Sequence, residues 1–208
     1  ITTKSGQRCT AVRRIFVPQN KLDDVSRALA DALQKTAVGN PLNEKVKMGA
    51  LAGQEQRSEV KSQLKKLLAS SQLIYGSLES VQVIDADAEQ GAFLSPVLLL
   101  NQKPMQSEEP HSIEAFGPVS TLMPYNSMDE VIALSKKGKG SLCSTIVTAD
   151  ASVAKQYVLG AATFHGRILV LNEDCAKEST GHGSPLPMLV HGGPGRAGGG
   201  EEMGGLRG

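Results

Sequence analysis

The chain has 208 residues, of which 40% are hydrophobic, 21% charged and 3% aromatic, which supports one globular domain or one large domain of a longer protein. The formal net charge is +1, so the composition carries no electrostatic footprint for nucleic acid or for an anionic membrane. No apolar run approaches the ~18 residues of a membrane span, and the first ten residues contain no signal-peptide hydrophobic region.

The first half of the chain alternates strand-like and helix-like segments. Apolar β-branched residues predict the strands, and apolar residues at helical spacing predict the helices. Pro18 ends the first strand, Gly39 is expected to stop the first helix, and Pro96 places an edge or a bend in the last strand. In chain order, we predict a strand over 12–18, helices over 22–39 and 54–69, and strand-like segments over 71–76 and 91–101.

The second half of the chain repeats this alternation. The predicted elements are a tight turn and a strand over 113–125, a capped helix over 127–138, a buried strand over 142–150, a helix over 151–166 and a buried strand over 167–173. Apolar strands that alternate with amphipathic helices indicate βαβ units and a largely parallel sheet. We therefore expect an α/β fold.

The tail over 179–208 is rich in glycine and loses this periodicity. Such a composition is typical of disorder. Glycines interleaved with His182, His191 and Arg196 suit equally well a loop that approaches a ligand closely. The composition alone leaves both interpretations open.

Cys9 lies in the segment SGQRCTA, just ahead of the first strand. Arg8, Arg13 and Arg14 are close to it in sequence, and cationic neighbours favour the reactive thiolate form of a cysteine. Backbone amides beside the sulfur are suited to stabilise an oxyanion. A lone cysteine is more often a small buried apolar residue, however, and physical grounds alone favour that interpretation.

The other cysteines and the histidines show no ligand pattern. Cys143 falls within a predicted buried strand, and Cys175 falls in a polar turn. Three widely spaced cysteines indicate neither a disulfide framework nor a zinc site, which favours a reduced, cytoplasmic location. His165 is expected to end a helix, and the four histidines lack metal-ligand spacing, so we predict no metal.

The hexapeptide EAFGPV at 114–119 combines an acid, an aromatic residue and a Gly-Pro turn. A rigid turn of this kind is expected to project Glu114 and Phe116. The alternative is a surface carboxylate beside a core aromatic residue. The hexapeptide alone does not decide between them.

Several segments, taken in order, resemble the aldehyde dehydrogenase superfamily over essentially the whole chain. The matching segments are GQRC at 6–9, EAFGPV at 114–119, GSLCSTIVTAD at 140–150, GRILVLN at 166–172 and the Gly-rich tail. The resemblance implies the three-layer parallel-sheet α/β catalytic domain of this superfamily, with Cys9 as the nucleophile. It also implies that Glu114 binds the ribose of NADP or NAD and that Phe116 lies against the nicotinamide.

The tail narrows the resemblance to a subgroup. GHGSPLP and HGGPGRAGGGEE are similar to the aldehyde dehydrogenase part of bifunctional ring-opening proteins of phenylacetate degradation, and to semialdehyde dehydrogenases of aerobic benzoyl-CoA degradation. Membership would imply NAD(P)-dependent oxidation of a CoA-linked aliphatic semialdehyde to its acid, through a cysteine thiohemiacetal and thioester. His182, Ser184 and His191 are then expected to line the substrate site.

Parts of the superfamily pattern have no match in this sequence. They are the cofactor-binding domain, the general-base glutamate, the oxyanion-hole asparagine and the last strand of the oligomerisation hairpin. The resemblance therefore implies that residues 1–208 are a fragment of the catalytic domain, inactive alone, from a protein that forms homo-oligomers.

Two other functions stay open at this point. A non-catalytic scaffold of the same fold would leave Cys9 without thiol reactivity. A thiol acyltransferase would share the acyl-enzyme chemistry, but it needs a histidine near Cys9, which the sequence does not identify. Iodoacetamide labelling of the three cysteines separates the scaffold from the dehydrogenase.

Overall fold

The computed structural model describes residues 1–183 and 191–198, and the chain divides into two compact units, Ile1–Tyr125 and Asn126–Gly208. Both units combine strands with helices, which confirms the predicted α/β class. Within the described residues, none of the helices has both the length and the apolarity needed to cross a membrane.

The first unit confirms the predicted order of strands and long helices. Its first helix ends at Gln34 rather than at Gly39, because Val38 and Gly39 form β-bridges with Met48 and Ile84 instead. A four-residue helix that the sequence did not predict precedes the last strand. The elements are β1 (Arg14–Pro18), α1 (Leu22–Gln34), α2 (Gln54–Leu67), β2 (Gln72–Tyr75), β3 (Val97–Leu100), α3 (Glu109–Ser112) and β4 (Val119–Tyr125).

The four strands of the first unit form one sheet in the order β1-β4-β3-β2. β4 pairs in parallel with both β1 and β3, whereas β2 is antiparallel to β3 at the edge. The register places Arg14 opposite Thr121 and Val97 opposite Val119. The segments that precede β1 and β4 therefore lie close together at the same end of the strands, since parallel neighbouring strands begin on the same side.

Helices cover both faces of this sheet, so the first unit has three layers. On one face, α2 packs against Val97 and Leu99 of β3. On the other face, α1 packs against Leu98 of β3 and Leu122 of β4. Alternate residues of β3 thus serve opposite cores, as the two-residue period of a strand requires. The α2 residues at helical spacing in the first core are Val60, Leu64 and Leu67.

In the second unit, two strands pair in parallel and two helices accompany them. Its described elements are α4 (Met128–Lys137), β5 (Ser141–Val147), α5 (Ala151–Ala161) and β6 (His165–Leu171). Side chains cap both helices: Ser127 accepts a hydrogen bond from the Glu130 amide at 3.2 Å, and Asp150 accepts one from the Ser152 amide at 2.8 Å. Such caps satisfy amides that a helix leaves unpaired at its start.

The two strands of the second unit are less buried than their apolar sequences predicted. Most residues of β5 and β6 are only half-buried, and Val147 and Val170 are 76% and 41% exposed. The prediction that both strands are buried is wrong. His165 is also misassigned: it begins β6 rather than ending a helix, because a single 3-10 turn separates α5 from the strand.

Residues 191–198 of the Gly-rich tail pack against their own unit, and residues 179–183 of the tail are also described. A Cβ added to Gly166 would lie 1.8 Å from the carbonyl oxygen of Gly192, and one added to Gly193 would lie 2.7 Å from that of Ser141. The glycines here permit backbone-to-backbone contact with the starts of β5 and β6. Residues 184–190 and 199–208 of the tail, which include Ser184, lie outside the described residues.

Candidate active site

Cys9 lies in a tight turn shortly before β1. The Ala11 amide donates a hydrogen bond to the Arg8 carbonyl at 2.9 Å, which closes the turn around Cys9 and Thr10. Thr10 is 4% exposed, whereas Cys9 is exposed. The interpretation of Cys9 as a buried apolar residue is therefore wrong, and the thiol is accessible to a reagent or a substrate.

The residues just before this turn adopt an uncommon backbone that neighbouring side-chain contacts support. Ser5 and Gly6 have φ values of 55° and 71°, in the left-handed region. The buried Ser5 hydroxyl donates to the Gly49 carbonyl at 2.8 Å. The Gln7 side-chain carbonyl accepts a hydrogen bond from the Ala52 amide at 2.7 Å. The segment before the cysteine is thus anchored at successive residues.

Gly6 brings this segment against the EAFGPV hexapeptide. A Cβ at Gly6 would lie 2.0 Å from the carbonyl oxygen of Gly117, a separation that only a glycine allows. Gly6 belongs to the GQRC motif and Gly117 to EAFGPV. Two motifs that are far apart in sequence therefore touch through their backbones.

The hexapeptide projects its acid and its aromatic residue, as predicted. Glu114 is exposed and Phe116 is 47% exposed, whereas Ala115 between them is 5% exposed. Phe116 has a φ of 43°, which is rare for a bulky residue and is typical of functional loops. The alternative of a core phenylalanine is wrong. An exposed aromatic ring and an exposed carboxylate suit a planar ring and a ribose hydroxyl, respectively.

Two of the arginines near the cysteine make contacts around α3. Arg13 Nη1 donates to the Ile113 carbonyl at 3.2 Å, and Arg14 Nη1 lies 3.1 Å from Nδ1 of His111. His111 is 1% exposed, and its Nε2 lies 2.9 Å from the Pro104 carbonyl. A neutral ring that accepts at Nδ1 and donates at Nε2 satisfies both contacts. Activation of the thiol by cationic neighbours stays a prediction.

In the second unit, two of the predicted substrate-site residues meet at one arginine. Arg167 donates from Nε and Nη2 to the His182 carbonyl at 3.0 and 2.8 Å, and its Nη1 lies 3.1 Å from His191 Nδ1. His182 Nδ1 lies 2.7 Å from the Thr145 hydroxyl. The sequence did not single out Arg167, because a lone arginine in an apolar strand carries no motif. The substrate role of these histidines stays a prediction, as does that of Ser184.

The remaining cysteines differ from each other in exposure. Cys143 lies on β5, as predicted, but it is half-buried rather than buried. Cys175 is exposed, in agreement with its place in a polar turn, and its amide donates to the Asn172 side chain at 3.1 Å. Cys9 and Cys175 are therefore both exposed cysteines, and Cys175 can serve as a control for Cys9.

This chain is similar in sequence to curated proteins. Protein MaoC of Klebsiella aerogenes is 51% identical over 162 residues, which cover 77% of this chain and 46% of that protein. A 3,4-dehydroadipyl-CoA semialdehyde dehydrogenase of Aromatoleum evansii is 38% identical over 198 residues, which cover 93% of this chain and 38% of the relative. The chain thus spans less than half the length of these relatives.

Solved structures share the fold. A betaine aldehyde dehydrogenase point mutant from Staphylococcus aureus, in complex with NAD+, superimposes with a TM-score of 0.83 at 21% identity, over 99% of this chain and 39% of that one. A mutant aldehyde dehydrogenase C from Pseudomonas syringae, with NAD+ and octanal, gives 0.80 at 24% identity, over 98% and 38%. The family model described as "Aldehyde dehydrogenase family" matches residues 1–182. This chain therefore belongs to the aldehyde dehydrogenase family.

Proposed function

We propose that this chain is the catalytic portion of an NAD(P)-dependent aldehyde dehydrogenase in which Cys9 is the nucleophile. The observation that carries the proposal is the contact between Gly6 and Gly117, which sets the exposed Cys9 turn beside the loop of Glu114 and Phe116. A nucleophile and a cofactor-binding loop must adjoin in a dehydrogenase, because the aldehyde carbon has to reach both. Membership of the family supports the same reaction class.

The chemistry assigned to the chain itself is thiolate attack. The Cys9 sulfur, as the thiolate, forms a bond to the aldehyde carbon, and the carbonyl electron pair moves to the oxygen. The backbone amide of Cys9 is suited to donate a hydrogen bond to that oxyanion. The product of this step is a thiohemiacetal, and loss of hydride converts it to a thioester. The base for thioester hydrolysis is expected from sequence outside this chain.

A nicotinamide nucleotide fits the exposed groups of the hexapeptide. The Glu114 carboxylate can accept hydrogen bonds from ribose hydroxyls, and the exposed ring of Phe116 offers a flat apolar surface. When bound, the nucleotide supplies the hydride acceptor. Solved relatives carry NAD+, and the preference for NADP rests on the subgroup resemblance.

The proposed substrate is a CoA-linked aliphatic semialdehyde, in phenylacetate-type aromatic catabolism. The identity to a dehydrogenase of 3,4-dehydroadipyl-CoA semialdehyde supports this class. The residues proposed to line the aldehyde site are His182, Ser184 and His191. A semialdehyde dehydrogenase of benzoyl-CoA degradation is the alternative, and comparison of kcat/KM for the two semialdehydes distinguishes them. Homo-oligomerisation and a cytoplasmic location also stay predictions.

The proposal is tested with a longer polypeptide that includes the cofactor-binding half of the enzyme. We expect this polypeptide to oxidise a CoA-linked semialdehyde with NADP or NAD, and residues 1–208 alone to show no turnover. Cys9→Ala should lower kcat by about 1,000-fold or more, because the covalent route is removed. Cys175→Ala is the control, and it should keep full activity. Full activity of Cys9→Ala would overturn the assignment.

A second test needs only residues 1–208. Cys9 and Cys175 are both exposed, so iodoacetamide can reach both residues. We expect Cys9 to react faster, as measured by peptide mass spectrometry at low reagent, because it is the proposed nucleophile. Equal rates would favour the non-catalytic scaffold.

A further inference from the structure

We propose that Gln7 is a positioning residue for Cys9, acting through the hydrogen bond that its side chain accepts from the Ala52 amide. The inference rests on the proposed function, since it assumes that Cys9 is the nucleophile. Gln7 Oε1 lies 2.7 Å from the Ala52 nitrogen, a short contact for an amide donor. Gln7 is two residues before Cys9, adjacent to the turn that begins at Arg8.

The Gln7 side chain accepts its hydrogen bond from a backbone segment that other contacts hold in place. Leu51, the neighbour of Ala52, is 5% exposed and belongs to the core that α2 covers. Its amide donates to the Ala92 carbonyl at 3.0 Å. The Ala52 amide therefore follows a residue whose backbone and side chain are both held. A side chain bonded to this amide has little freedom to move with the loop.

Contacts of the two residues before Gln7 fix the start of the same segment. Ser5 bonds to the Gly49 carbonyl, and Gly6 lies against Gly117. Gln7 is then the last anchored side chain before the Cys9 turn. Buried Thr10 restrains the turn from within, and the hydrogen bond of Gln7 restrains it on its N-terminal side.

The expected consequence is an effect on kcat rather than on binding. Attack on a carbonyl needs the sulfur within a narrow range of distance and angle, so a less restrained turn lowers the population of reactive geometries. The Gln7 side chain bonds to the backbone of residue 52, so neither the nucleotide nor the aldehyde needs to contact it. KM values for both should therefore stay nearly constant when the hydrogen bond is lost.

Two substitutions of Gln7 separate the hydrogen bond from the shape of the side chain. Gln7→Met keeps the length and removes the acceptor, and in the longer polypeptide it should lower kcat by about 10-fold with KM within about twofold. Gln7→Glu keeps the acceptor. Its added negative charge disfavours a nearby thiolate, so the pH profile should move to higher pH while the plateau rate is retained. Gln56→Met, at an exposed position of α2, is the control and should change nothing.

Hydrogen exchange of the Ala52 amide tests the contact directly in residues 1–208. The amide should be protected in the unaltered chain and in Gln7→Glu, and should exchange faster in Gln7→Met. Rapid exchange in the unaltered chain would overturn the inference, as would full kcat in Gln7→Met. If Cys9→Ala abolishes turnover while Gln7→Met does not, the positioning role fails and the proposed function stands. If Cys9→Ala retains turnover, both fail.

Discussion

The two units of the chain stabilise their parallel strands in different ways. In the first unit, Val97, Leu98 and Leu99 of β3 are all 0% exposed, because α1 and α2 cover opposite faces of the sheet. In the second unit, most residues of β5 are half-buried and Val147 at its end is 76% exposed. A similar apolar pattern in the sequence thus corresponds to two different degrees of burial.

Polar contacts are prominent in the second unit. The Tyr157 hydroxyl of α5 lies 3.1 Å from the Ser135 hydroxyl of α4 and 2.8 Å from the Ser144 hydroxyl of β5. Arg167 on β6 connects to His182 and His191. These hydrogen bonds tie elements together where apolar cover is thin. The strands of the second unit thus have less apolar cover than β3 of the first unit, and side-chain hydrogen bonds link them to their neighbours.

The largest effect on the free energy of unfolding is expected in the core of the first unit. Leu98→Ala should lower the free energy of unfolding of the first unit by about 2–5 kcal/mol, because it leaves a cavity beneath α1. Val170→Ala on β6 is the matched control. It should cost roughly 1 kcal/mol or less, since Val170 is already 41% exposed. Hydrogen exchange resolved by peptide, in increasing urea, measures each unit separately, and equal losses would contradict the comparison.

The next effect concerns the contact between the two motifs of the first unit. Gly6→Ala should destabilise the first unit by about 1–3 kcal/mol, because the residue has a φ of 71° and its Cβ would overlap the Gly117 carbonyl. Gly49→Ala is the control: a Cβ there meets nothing within 4 Å, so the change should be near zero. Urea denaturation compares the two variants. A neutral Gly6→Ala would show that the segment can relax away from the hexapeptide.

Much of the fold could be predicted from the sequence because periodicity and breakers are local. Pro18 and Pro96 mark the end of β1 and the start of β3, and helical spacing identifies α1 and α2. Burial is not local. The segment LCSTIV of β5 and the segment VLLL of β3 both have an apolar pattern. Among the described residues, the hydrophobic core clusters place helices on both faces of β3 and include no residue of β5. The number of covering layers depends on tertiary packing, which no short window contains.

The same distinction between local sequence features and tertiary contacts applies to the candidate site. Cys9, Glu114 and Phe116 were identified through motifs, and their exposure agrees with a functional role. The anchoring of the cysteine segment was missed, because the partners of Ser5 and Gln7 are backbone groups around residue 50. Nearly every residue has a backbone amide and a carbonyl. The residue types around position 50 therefore do not reveal that these groups bind Ser5 and Gln7.

A smaller effect is expected from the hydrogen bonds of the second unit. Tyr157→Phe should cost about 1–2 kcal/mol, because the hydroxyls of Ser135, a residue 1% exposed, and of Ser144 each lose the hydrogen bond to Tyr157. Tyr75→Phe on β2 is the control, since no hydrogen bond of its hydroxyl is found among the residues that the structure describes. Peptide-resolved exchange should show the loss in α4, α5 and β5 only. A loss as small as that of Tyr75→Phe would mean that solvent replaces the bonds at no cost.

The smallest effect is expected at the start of α4, where a single side chain caps the helix. Ser127→Ala should destabilise the second unit by about 1 kcal/mol, because the Glu130 amide loses its side-chain acceptor at the start of the helix. Ser127→Asp should restore the stability, since aspartate accepts the same hydrogen bond and its charge also favours the helix N-terminus. Urea denaturation of the three proteins measures the difference. If both variants lose stability equally, the serine acts through its size or its backbone, and the role of polar contacts in this unit would then rest on Tyr157 and Arg167.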